Sequence, residues 1–545
     1  MKFKKLLLIM VITSMLIVMF GWSTYAQEEE EKGCTTVLVG KKASVDGSTI
    51  TSHNCDGWYD GGLVVIPAAD HQPGEMAPVY FDKLHGDYKP VKKIGEIPQV
   101  PHTYKYFWVG YPIGNEHQVL MGEHTMGQHP NAAPGPEAIM WIEQLEIFAL
   151  ERAKTAREAI KVMGELAEKY GYGDGGECLT IVDPNEAWSF EIYAVGPVWS
   201  SKSGRPGAIW FAQRVPDDEV FVSSNISRID QVDPSDTENF MVSTDYLQVA
   251  TEIGLYDPAS GKPFSVRYDY YDIWHRTNKT DNSGVRLWRA YSILKPSGNW
   301  VMQQARDYPY SIKPDKLIST EDVYRILGDV NAGNAFDNTE DPNWYVKTKD
   351  GSFKKSPLAT PNMLGEMRDL LNVRFFRPIG GITNSYHFVG QARSWLPNEI
   401  GGMFWFGYDN ANNSLVVPVW TGVNDTAPSW KVADRTKVNR NSAWWAFGLV
   451  DDEVNVMYGI LKPILEEVRA PLQRELFDQQ KTIEEEASKL YKSDPEAAKK
   501  YLTDYTISTM QRAEKAYWEV LDKLYFAANN NQSAHGPTYL YPTVP

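Results

Sequence analysis

Short runs of apolar and β-branched residues, separated by turn residues, dominate the N-terminal half of the chain, and such runs predict β-strands. The first two runs, 35–40 and 48–53, lie on either side of Asp46-Gly47, a dipeptide typical of the turn of a β-hairpin. We therefore expect a hairpin that begins at Cys34. Further strands are predicted at 62–66, 119–122, 179–182, 188–193, 209–212 and 220–223.

Apolar residues recur at helical spacing in two segments between these strands, 137–149 and 155–169. In the second segment Thr155, or a residue just before it, is expected to cap the start of the helix. Strands and helices follow each other in mixed order rather than in regular β-α-β alternation. The pattern therefore favours an α+β fold with antiparallel sheets.

The character of the chain changes after Asp452. Segments 453–468, 474–491 and 495–526 are rich in Ala, Glu, Lys, Gln and Leu and poor in β-branched residues, which predicts helices. Pro495 is typical of the first turn of a helix. We therefore predict a C-terminal helical module of two or three helices at 452–528, packed against the preceding body, and a polar, frayed tail at 529–545.

Composition narrows the classes of function. Of the 545 residues 43% are apolar and 23% are charged, which is ordinary for a globular protein with a large core. The formal net charge is −16, from 54 basic and 70 acidic side chains. Because there is no basic surplus to neutralise phosphates, a nucleic-acid partner is not expected. The familiar nucleotide-binding and zinc motifs are missing from the sequence, and we predict no cofactor and no metal.

The first 26 residues follow the order of a secretory signal peptide. Lys2, Lys4 and Lys5 precede an uncharged, mostly apolar run at 6–20, and the cleavage-site pattern Thr24-Tyr25-Ala26, with small residues at its two ends, follows. This run is short for a membrane-spanning helix, which needs about 20 residues. We predict cleavage after Ala26, no membrane span in the cleaved protein, and a secreted, periplasmic or cell-envelope location. An uncleaved N-terminal anchor is the alternative.

A charged stretch at 27–33 separates this signal from Cys34. It holds no apolar residue that would pack against a core, as in a propeptide or a plain linker. The chain that follows the signal contains three cysteines, an odd number for an exported protein. A disulfide between Cys55 and Cys178 would leave Cys34 as the unpaired thiol.

The position of Cys34 has a chemical consequence. If the bond between Gly33 and Cys34 is cut, a thiol and a free α-amine belong to the same residue. An α-amine has a pKa of about 7.7–8.0, so part of it is neutral at working pH and can take the thiol proton. One residue would then supply both nucleophile and base. A Cys–His pair is the competing arrangement, but none of the ten histidines lies in a recognisable motif.

Two segments carry a specific resemblance to a known family. The segment 34–48, CTTVLVGKKASVDGS, and the segment 210–218, WFAQRVPDD, resemble the C69 dipeptidases, and the first of them is similar to the mature start of that family. These enzymes are N-terminal nucleophile hydrolases, related to secernins and distantly to penicillin V acylase and bile salt hydrolase. Weaker similarity is found at 115–116, 171–177, 186–191, 225–229, 391–393 and in the helical tail.

The resemblance implies a fold and a maturation step. The fold would be a four-layer αββα sandwich over 34–451, followed by the helical module. The signal peptide at 1–26 and a propeptide at 27–33 would be removed, the latter by self-processing, and Cys34 would be the nucleophile.

The resemblance also assigns residues after the hairpin. In the wider superfamily an Arg-Asn-x-Asp run follows the hairpin, and the corresponding run here is His53-Asn54-Cys55-Asp56. Asp56 matches the acid that holds the α-amine of the nucleophile. His53 replaces the arginine, and its imidazole would partly substitute for the guanidinium. We assign His53 and Asn54 to substrate binding.

Two more residues are implied further along the chain. Asn225 lies where the superfamily places its oxyanion-stabilising amide, and a buried donor there would contribute roughly 3–4 kcal/mol to lowering the barrier. Arg286 resembles the second active-site arginine. Each assignment has a structural alternative, because Asp56 suits a turn, Asn225 a helix cap and Arg286 a surface ion pair.

The sequence thus predicts an exported, cysteine-dependent dipeptidase that acts on dipeptides or small peptides, with homo-oligomer formation left open. Two alternatives stay open. The same machinery would hydrolyse an N-acyl amide, such as a penicillin-like or bile-acid-like conjugate, if the pocket were apolar. A non-catalytic binding protein of the cell envelope would keep the fold with an unprocessed N-terminus.

Overall fold

The computed structural model describes residues 33–532 apart from 58, 60, 82–91, 271–281 and 382. The predicted signal peptide at 1–26, the predicted propeptide except Gly33, and the part of the predicted tail at 533–545 lie outside the described residues. Among the described helices, none has both the length and the apolar character needed to cross a membrane.

The described strands are short and lie mostly before position 243. They are β1 (Thr36–Val39), β2 (Thr49–Asp56), β3 (Val64–Ile66), β4 (Ala69–Asp70), β5 (Met76–Tyr80), β6 (Lys93–Pro98), β7 (His102–Thr103), β8 (Tyr106–Trp108), β9 (Pro112–Asn115), β10 (Leu120–Thr125), β11 (Glu177–Val182), β12 (Ala187–Tyr193), β13 (Ile209–Arg214), β14 (Val220–Ser223), β15 (Phe240–Val242), β16 (Ser311–Ile312), β17 (Tyr345–Lys347), β18 (Phe353–Lys355), β19 (Asn384–Ala392), β20 (Met403–Tyr408) and β21 (Val417–Trp420).

The described α-helices flank these strands and then form the C-terminal part of the chain. They are α1 (Ile142–Arg152), α2 (Ala156–Tyr170), α3 (Tyr246–Glu252), α4 (Val266–Asp269), α5 (Asn282–Leu294), α6 (Thr320–Leu327), α7 (Gly365–Leu371), α8 (Asn398–Gly401), α9 (Ala443–Val456), α10 (Tyr458–Ser493) and α11 (Pro495–Gln532).

Two antiparallel sheets form the body of the protein. One has the strand order β16-β14-β1-β2-β19-β20-β21, and the other has the order β15-β13-β12-β11-β10-β9-β8-β3. Strand β2 of the first sheet contacts β10 and β11 of the second, so the two sheets face each other across a shared core. The expectation of an α+β fold with antiparallel sheets and a helical C-terminal region is confirmed.

The sheets approach closely where β2 passes β10 and β11. The hydroxyls of Thr51 and Thr180 lie 2.8 Å apart across this contact. A Cβ atom on Gly122 would lie 2.5 Å from the carbonyl oxygen of Ser52, so only glycine fits here. Every residue of β2 is buried, because β1 and β19 flank it in the sheet and the second sheet covers one face. The strand that follows the predicted hairpin turn is thus at the centre of the molecule.

Every predicted strand is found, including the hairpin formed by β1 and β2. The helix predicted at 155–169 is also confirmed as α2, and the side chain of Thr155 accepts a hydrogen bond from the backbone N–H of Glu158. The helix predicted at 137–149 begins later, at Ile142. Before it, Met140 forms a β-bridge with Tyr172, which holds that stretch extended.

The helical region differs from the prediction in three ways. Helix α9 begins at Ala443, ahead of the predicted boundary at 452. The two helices predicted at 453–468 and 474–491 are one helix, α10, which continues through Pro463 and Pro471. A proline removes a backbone donor and crowds the preceding turn, so it usually ends a helix, but packing against α11 holds α10 together. Helix α11 includes 529–532, so the start of the predicted tail is helical rather than frayed.

Candidate active site

The hairpin brings Cys34 beside the end of β2. Thr35 forms a β-bridge with Asn54, so the residues on either side of this pair also face each other. The backbone N–H of Asp56 lies 3.3 Å from the sulfur of Cys34 and donates to it. The cysteine is only 5% exposed. A sequence-local element, the β-hairpin, therefore places the predicted nucleophile next to the predicted acid.

Asn54 holds the start of β1 in place. Its Oδ1 accepts a hydrogen bond from the backbone N–H of Thr35 at 2.6 Å, and its Nδ2 donates to the carbonyl oxygen of Ile379 at 2.6 Å. The side chain is fully buried. Both ends of the amide are thus engaged with the backbone, and the predicted role of Asn54 in substrate binding stays a prediction.

The carboxylate of Asp56 gathers donors from three separate parts of the chain. It accepts hydrogen bonds from the backbone N–H of Gly33, from the hydroxyl of Thr383 and from the guanidinium of Arg377. Asp56 is 5% exposed. A buried carboxylate needs such partners, because an unpaired charge in the interior is costly. The turn suggested as its structural alternative does not explain this set of contacts.

Arg377 is the cation that the sequence analysis missed. It pairs with Asp56, and its Nη2 also donates to the carbonyl oxygen of Gly33 at 3.0 Å. In the wider superfamily an arginine at the position of His53 carries this charge. The charge is instead supplied by a side chain between α7 and β19. The one available signal was an arginine just before Pro378-Ile379-Gly380, where a backbone turn is expected.

Arg286 and Asn225 complete a polar shell around the bond between Gly33 and Cys34. The Nη1 of Arg286 donates to the carbonyl oxygen of Gly33 at 2.8 Å, to that of Cys34 at 2.6 Å and to the Oδ1 of Asn225 at 3.1 Å. The Nδ2 of Asn225 donates to the carbonyl oxygen of Thr125 at 2.8 Å. Arg286 is therefore buried at the site rather than in a surface ion pair.

Asn225 is not a helix cap. It follows β14 and has φ +60°, in the left-handed region, where asparagine is one of the better-tolerated residues. Strand β14 pairs with β1, so this short turn after the strand carries Asn225 to the start of β1. The structure thus brings Asn225 and Arg286, from distant parts of the chain, to the pair formed by Cys34 and Asp56, and the catalytic roles of all four residues stay predictions.

Gly33 fits this shell only because it lacks a side chain. A Cβ atom at this position would lie 2.5 Å from the Oδ1 of Asn225 and 2.9 Å from the Nη2 of Arg286. Both contacts are shorter than van der Waals packing allows, and both side chains are held by other hydrogen bonds. Any other residue at position 33 would displace the polar shell.

His53 lies behind the nucleophile in an aromatic environment. Its ring makes edge contacts with Tyr111, Tyr386 and Phe388, with centroids 5.6–6.2 Å away. Burial, with a smaller effect from His124, lowers the pKa of His53 to about 3. The imidazole is therefore neutral at physiological pH. The positive charge at the site is carried by Arg377 instead, and the predicted role of His53 in substrate binding stays a prediction.

The three cysteines are free and buried. Cys55 lies in β2 of the first sheet, beside Cys34, whereas Cys178 lies in β11 of the second sheet, where it pairs with His124 across the strands. Burial raises the pKa of the Cys55 thiol well above its ordinary value, with a further contribution from Cys34. The suggested disulfide between Cys55 and Cys178 is thus not present.

Buried carboxyl groups lie beyond His53, towards the second sheet. The Oε2 of Glu123 is 4.0 Å from the Nε2 of His53, and burial raises the pKa of Glu123 to about 7. Burial also raises the pKa of Glu177, on the neighbouring strand, and that of Glu146, on α1. Neither carboxyl oxygen of Glu146 has a hydrogen-bond partner among the described residues. Burial therefore favours the protonated form of all three carboxyl groups in the folded protein.

We expect Glu146→Gln to stabilise the protein at alkaline pH. In the unfolded chain Glu146 ionises above about pH 4.3, whereas in the folded protein it keeps its proton. The free energy of unfolding therefore falls as pH rises above about 4.3. It falls by about 1.4 kcal/mol per pH unit while Glu146 stays protonated in the folded protein. Glutamine cannot ionise and removes this loss.

Thermal melts at two pH values test this expectation. The Tm of Glu146→Gln should exceed that of the wild type clearly at about pH 8 and little at about pH 4, where both states are protonated. Glu165→Gln is the matched control, because Glu165 is exposed on α2. An equal change in Tm at both pH values would contradict the proposed cause.

The chain is similar in sequence to a known peptidase family. The family model of peptidase family C69 matches residues 33–470. The probable dipeptidase B of Lactococcus lactis subsp. lactis is 27% identical over 436 residues, which cover 76% of this chain and 80% of that protein. The probable dipeptidase of Salmonella dublin is 25% identical over 412 residues, covering 72% and 82%. Dipeptidase A of Lactobacillus helveticus is 25% identical over 436 residues, covering 76% and 80%. The chain therefore belongs to peptidase family C69 and is a peptidase.

Proposed function

We propose that this protein is an exported, cysteine-dependent dipeptidase of the N-terminal nucleophile type, activated by cutting its own chain between Gly33 and Cys34. The observation that carries the proposal is the carbonyl group of Gly33. It belongs to the bond that would be cut, and it accepts hydrogen bonds from Arg286 at 2.8 Å and from Arg377 at 3.0 Å. Two cations at one backbone carbonyl are suited to stabilising a negative oxygen.

Self-processing would use the thiol of Cys34 on its own N-terminal side. The sulfur attacks the carbonyl carbon of Gly33, and the oxygen takes up negative charge facing the two guanidinium groups. The C–N bond then breaks, and the nitrogen of Cys34 leaves as an amine after taking the proton that the thiol has given up. Water hydrolyses the thioester, which releases Gly33 with a free carboxyl group and regenerates the thiol.

The same groups would then act on a dipeptide. The free α-amine of Cys34 takes the thiol proton, and the thiolate attacks the peptide carbonyl. The oxyanion forms beside Arg286, Arg377 and the amide of Asn225, and the α-ammonium protonates the leaving amine. Water hydrolyses the thioester in the second half of the reaction. Asp56 accepts a hydrogen bond from the N–H of Gly33, the residue next to Cys34. Its carboxylate would hold the α-amine of Cys34 as the charge of the site changes.

Two further features support the proposal. The relatives that cover most of this chain are named as dipeptidases, which favours dipeptides over N-acyl amides as substrates. The two facing sheets, with α2 packed against β12 and β13 and α9 against β20, agree with a four-layer αββα sandwich. We infer a hydrolase domain over 34–451, with helices α10 and α11 as the body of the C-terminal module.

The proposal is tested by the N-terminus and the substrates of the purified protein. We expect an intact mass that begins at Cys34 and hydrolysis of unblocked dipeptides, with no loss of rate when metal ions are chelated. A mass that begins at Gln27, together with no hydrolysis, would instead support the envelope binding protein. Hydrolysis of N-acyl amides but not of dipeptides would support the alternative enzyme.

A further inference from the structure

A second set of donor atoms lies beside the thiol of Cys34. The sulfurs of Cys34 and Cys55 and one ring nitrogen of His53 all lie within 4.8 Å of one another. The β-structure explains this, because His53 and Cys55 are two residues apart on one face of β2, and Cys34 lies opposite Cys55 next to the β-bridge. All three side chains are buried.

The imidazole of His53 provides the evidence that this cluster binds a ligand. Neither of its ring nitrogens makes a hydrogen bond to any residue that the structure describes, although the side chain is fully buried. A buried polar group without a partner destabilises the folded protein, and few such groups occur in native proteins. A ligand that accepts the lone pair of the imidazole would remove this cost.

The donor set identifies the class of ligand. Two thiolates and an imidazole are typical of sites that bind Zn²⁺ and similar soft cations. Once Gly33 is removed, the α-amine of Cys34 adds a fourth donor, and the amine and thiol of one cysteine close a five-membered ring around a shared ion. Two sulfurs and two nitrogens in a tetrahedron are a donor set that favours zinc.

We propose that Cys34, Cys55 and His53 form an inhibitory zinc site, which blocks the peptidase by capturing its nucleophile. The inhibition, though not the binding, rests on the proposed role of Cys34. Zn²⁺ displaces the protons of the two thiols, which are released to solvent, and no electron is transferred. While the ion is bound, neither the sulfur nor the α-amine of Cys34 is available for catalysis.

The dimensions of the cluster agree with such an ion. Bonds of about 2.3 Å to sulfur and 2.0–2.1 Å to nitrogen place tetrahedral ligand atoms about 3.3–3.8 Å apart. Because the three donors lie within 4.8 Å of one another, they need to close in by at most about 1.5 Å. The Oε2 of Glu123, 4.0 Å from the Nε2 of His53, lies beside the ring. Carboxylates in this position orient metal-bound imidazoles.

Cobalt and zinc binding to the purified protein test the proposal. The protein is reduced, its N-terminus is checked by mass, and Co²⁺ is added as a spectroscopic probe. We expect one Co²⁺ per chain with a thiolate-to-cobalt charge-transfer band in the near ultraviolet, lost when Zn²⁺ is added. Zn²⁺ should inhibit dipeptide hydrolysis, and a chelator should restore it.

Substitution of the second thiol provides the specific test. Cys55→Ala should weaken the cobalt band and raise the zinc concentration for half-inhibition by about tenfold or more, and Cys55→Ser should behave in the same way. Cys178→Ala is the matched control, because Cys178 is an equally buried thiol in the other sheet. It should bind Co²⁺ and respond to Zn²⁺ like the wild type.

The outcomes separate this proposal from the proposed function. No thiolate band in the wild type, or equal zinc sensitivity in the wild type and both Cys55 variants, would overturn the zinc site. A thiolate band that depends on Cys55, in a protein that hydrolyses no dipeptide, would support the metal site and overturn the function. Hydrolysis of dipeptides without any thiolate band would support the proposed function and overturn the metal site.

Discussion

Cys34→Ala is expected to abolish dipeptide hydrolysis and removal of the leader together. The side chain supplies the attacking sulfur in both reactions, and loss of a nucleophile typically lowers turnover by about 10⁴-fold or more. The alanine variant should therefore have an intact mass that still includes residues ahead of position 34. Mass spectrometry and a dipeptide assay measure the two effects on one sample.

The control for this variant is another cysteine. Cys178→Ala removes a buried thiol from the second sheet and should be processed and active like the wild type. Circular dichroism of both variants should match that of the wild type, because Cys34 contributes little to the core. If Cys34→Ala still hydrolysed dipeptides, a different nucleophile would have to be sought.

Arg377→Met is expected to cause a large loss of both stability and activity. The substitution leaves Asp56 as a buried carboxylate without its cation, and breaking a buried ion pair in this way typically costs about 3–5 kcal/mol. It also removes one of the two guanidinium groups at the carbonyl oxygen of Gly33. Denaturant unfolding, the N-terminal mass and the dipeptide assay report these effects.

A double variant separates the two effects of Arg377. Adding Asp56→Asn to Arg377→Met removes the unpaired charge and should recover part of the stability, but neither processing nor turnover. Arg374→Met is the matched control, because Arg374 is an exposed arginine on the same segment, and it should be processed and active like the wild type. Full activity in Arg377→Met would exclude this residue from the site.

The parts of the site that follow from local sequence were predictable. The hairpin turn, the strand that follows it and the short distance between Cys34 and Asp56 all depend on residues close together in the chain. Asn225 and Arg286 were found through the family resemblance rather than from any local pattern. The sequence analysis also identified α2 correctly from its cap and its periodicity.

The long-range partners were not predictable from pattern. Arg377 is 321 positions from Asp56 in the chain, and the expected turn just after it does not by itself identify a partner for Asp56. Strands β19–β21 were missed as well, although β19 lies directly beside β2 at the centre of the first sheet. Helix α10 contains two prolines that predicted a break, and only its tertiary packing explains why it continues. Each miss concerns contacts between distant segments.

The absence of room around Gly33 bears on how the protein can be produced. The contacts with Asn225 and Arg286 set a condition on position 33 itself. A foreign secretion leader or an affinity tag should therefore be joined ahead of this residue. The junction itself must remain Gly-Cys, since any bulkier residue fused at this point would push both side chains off the peptide bond they hold.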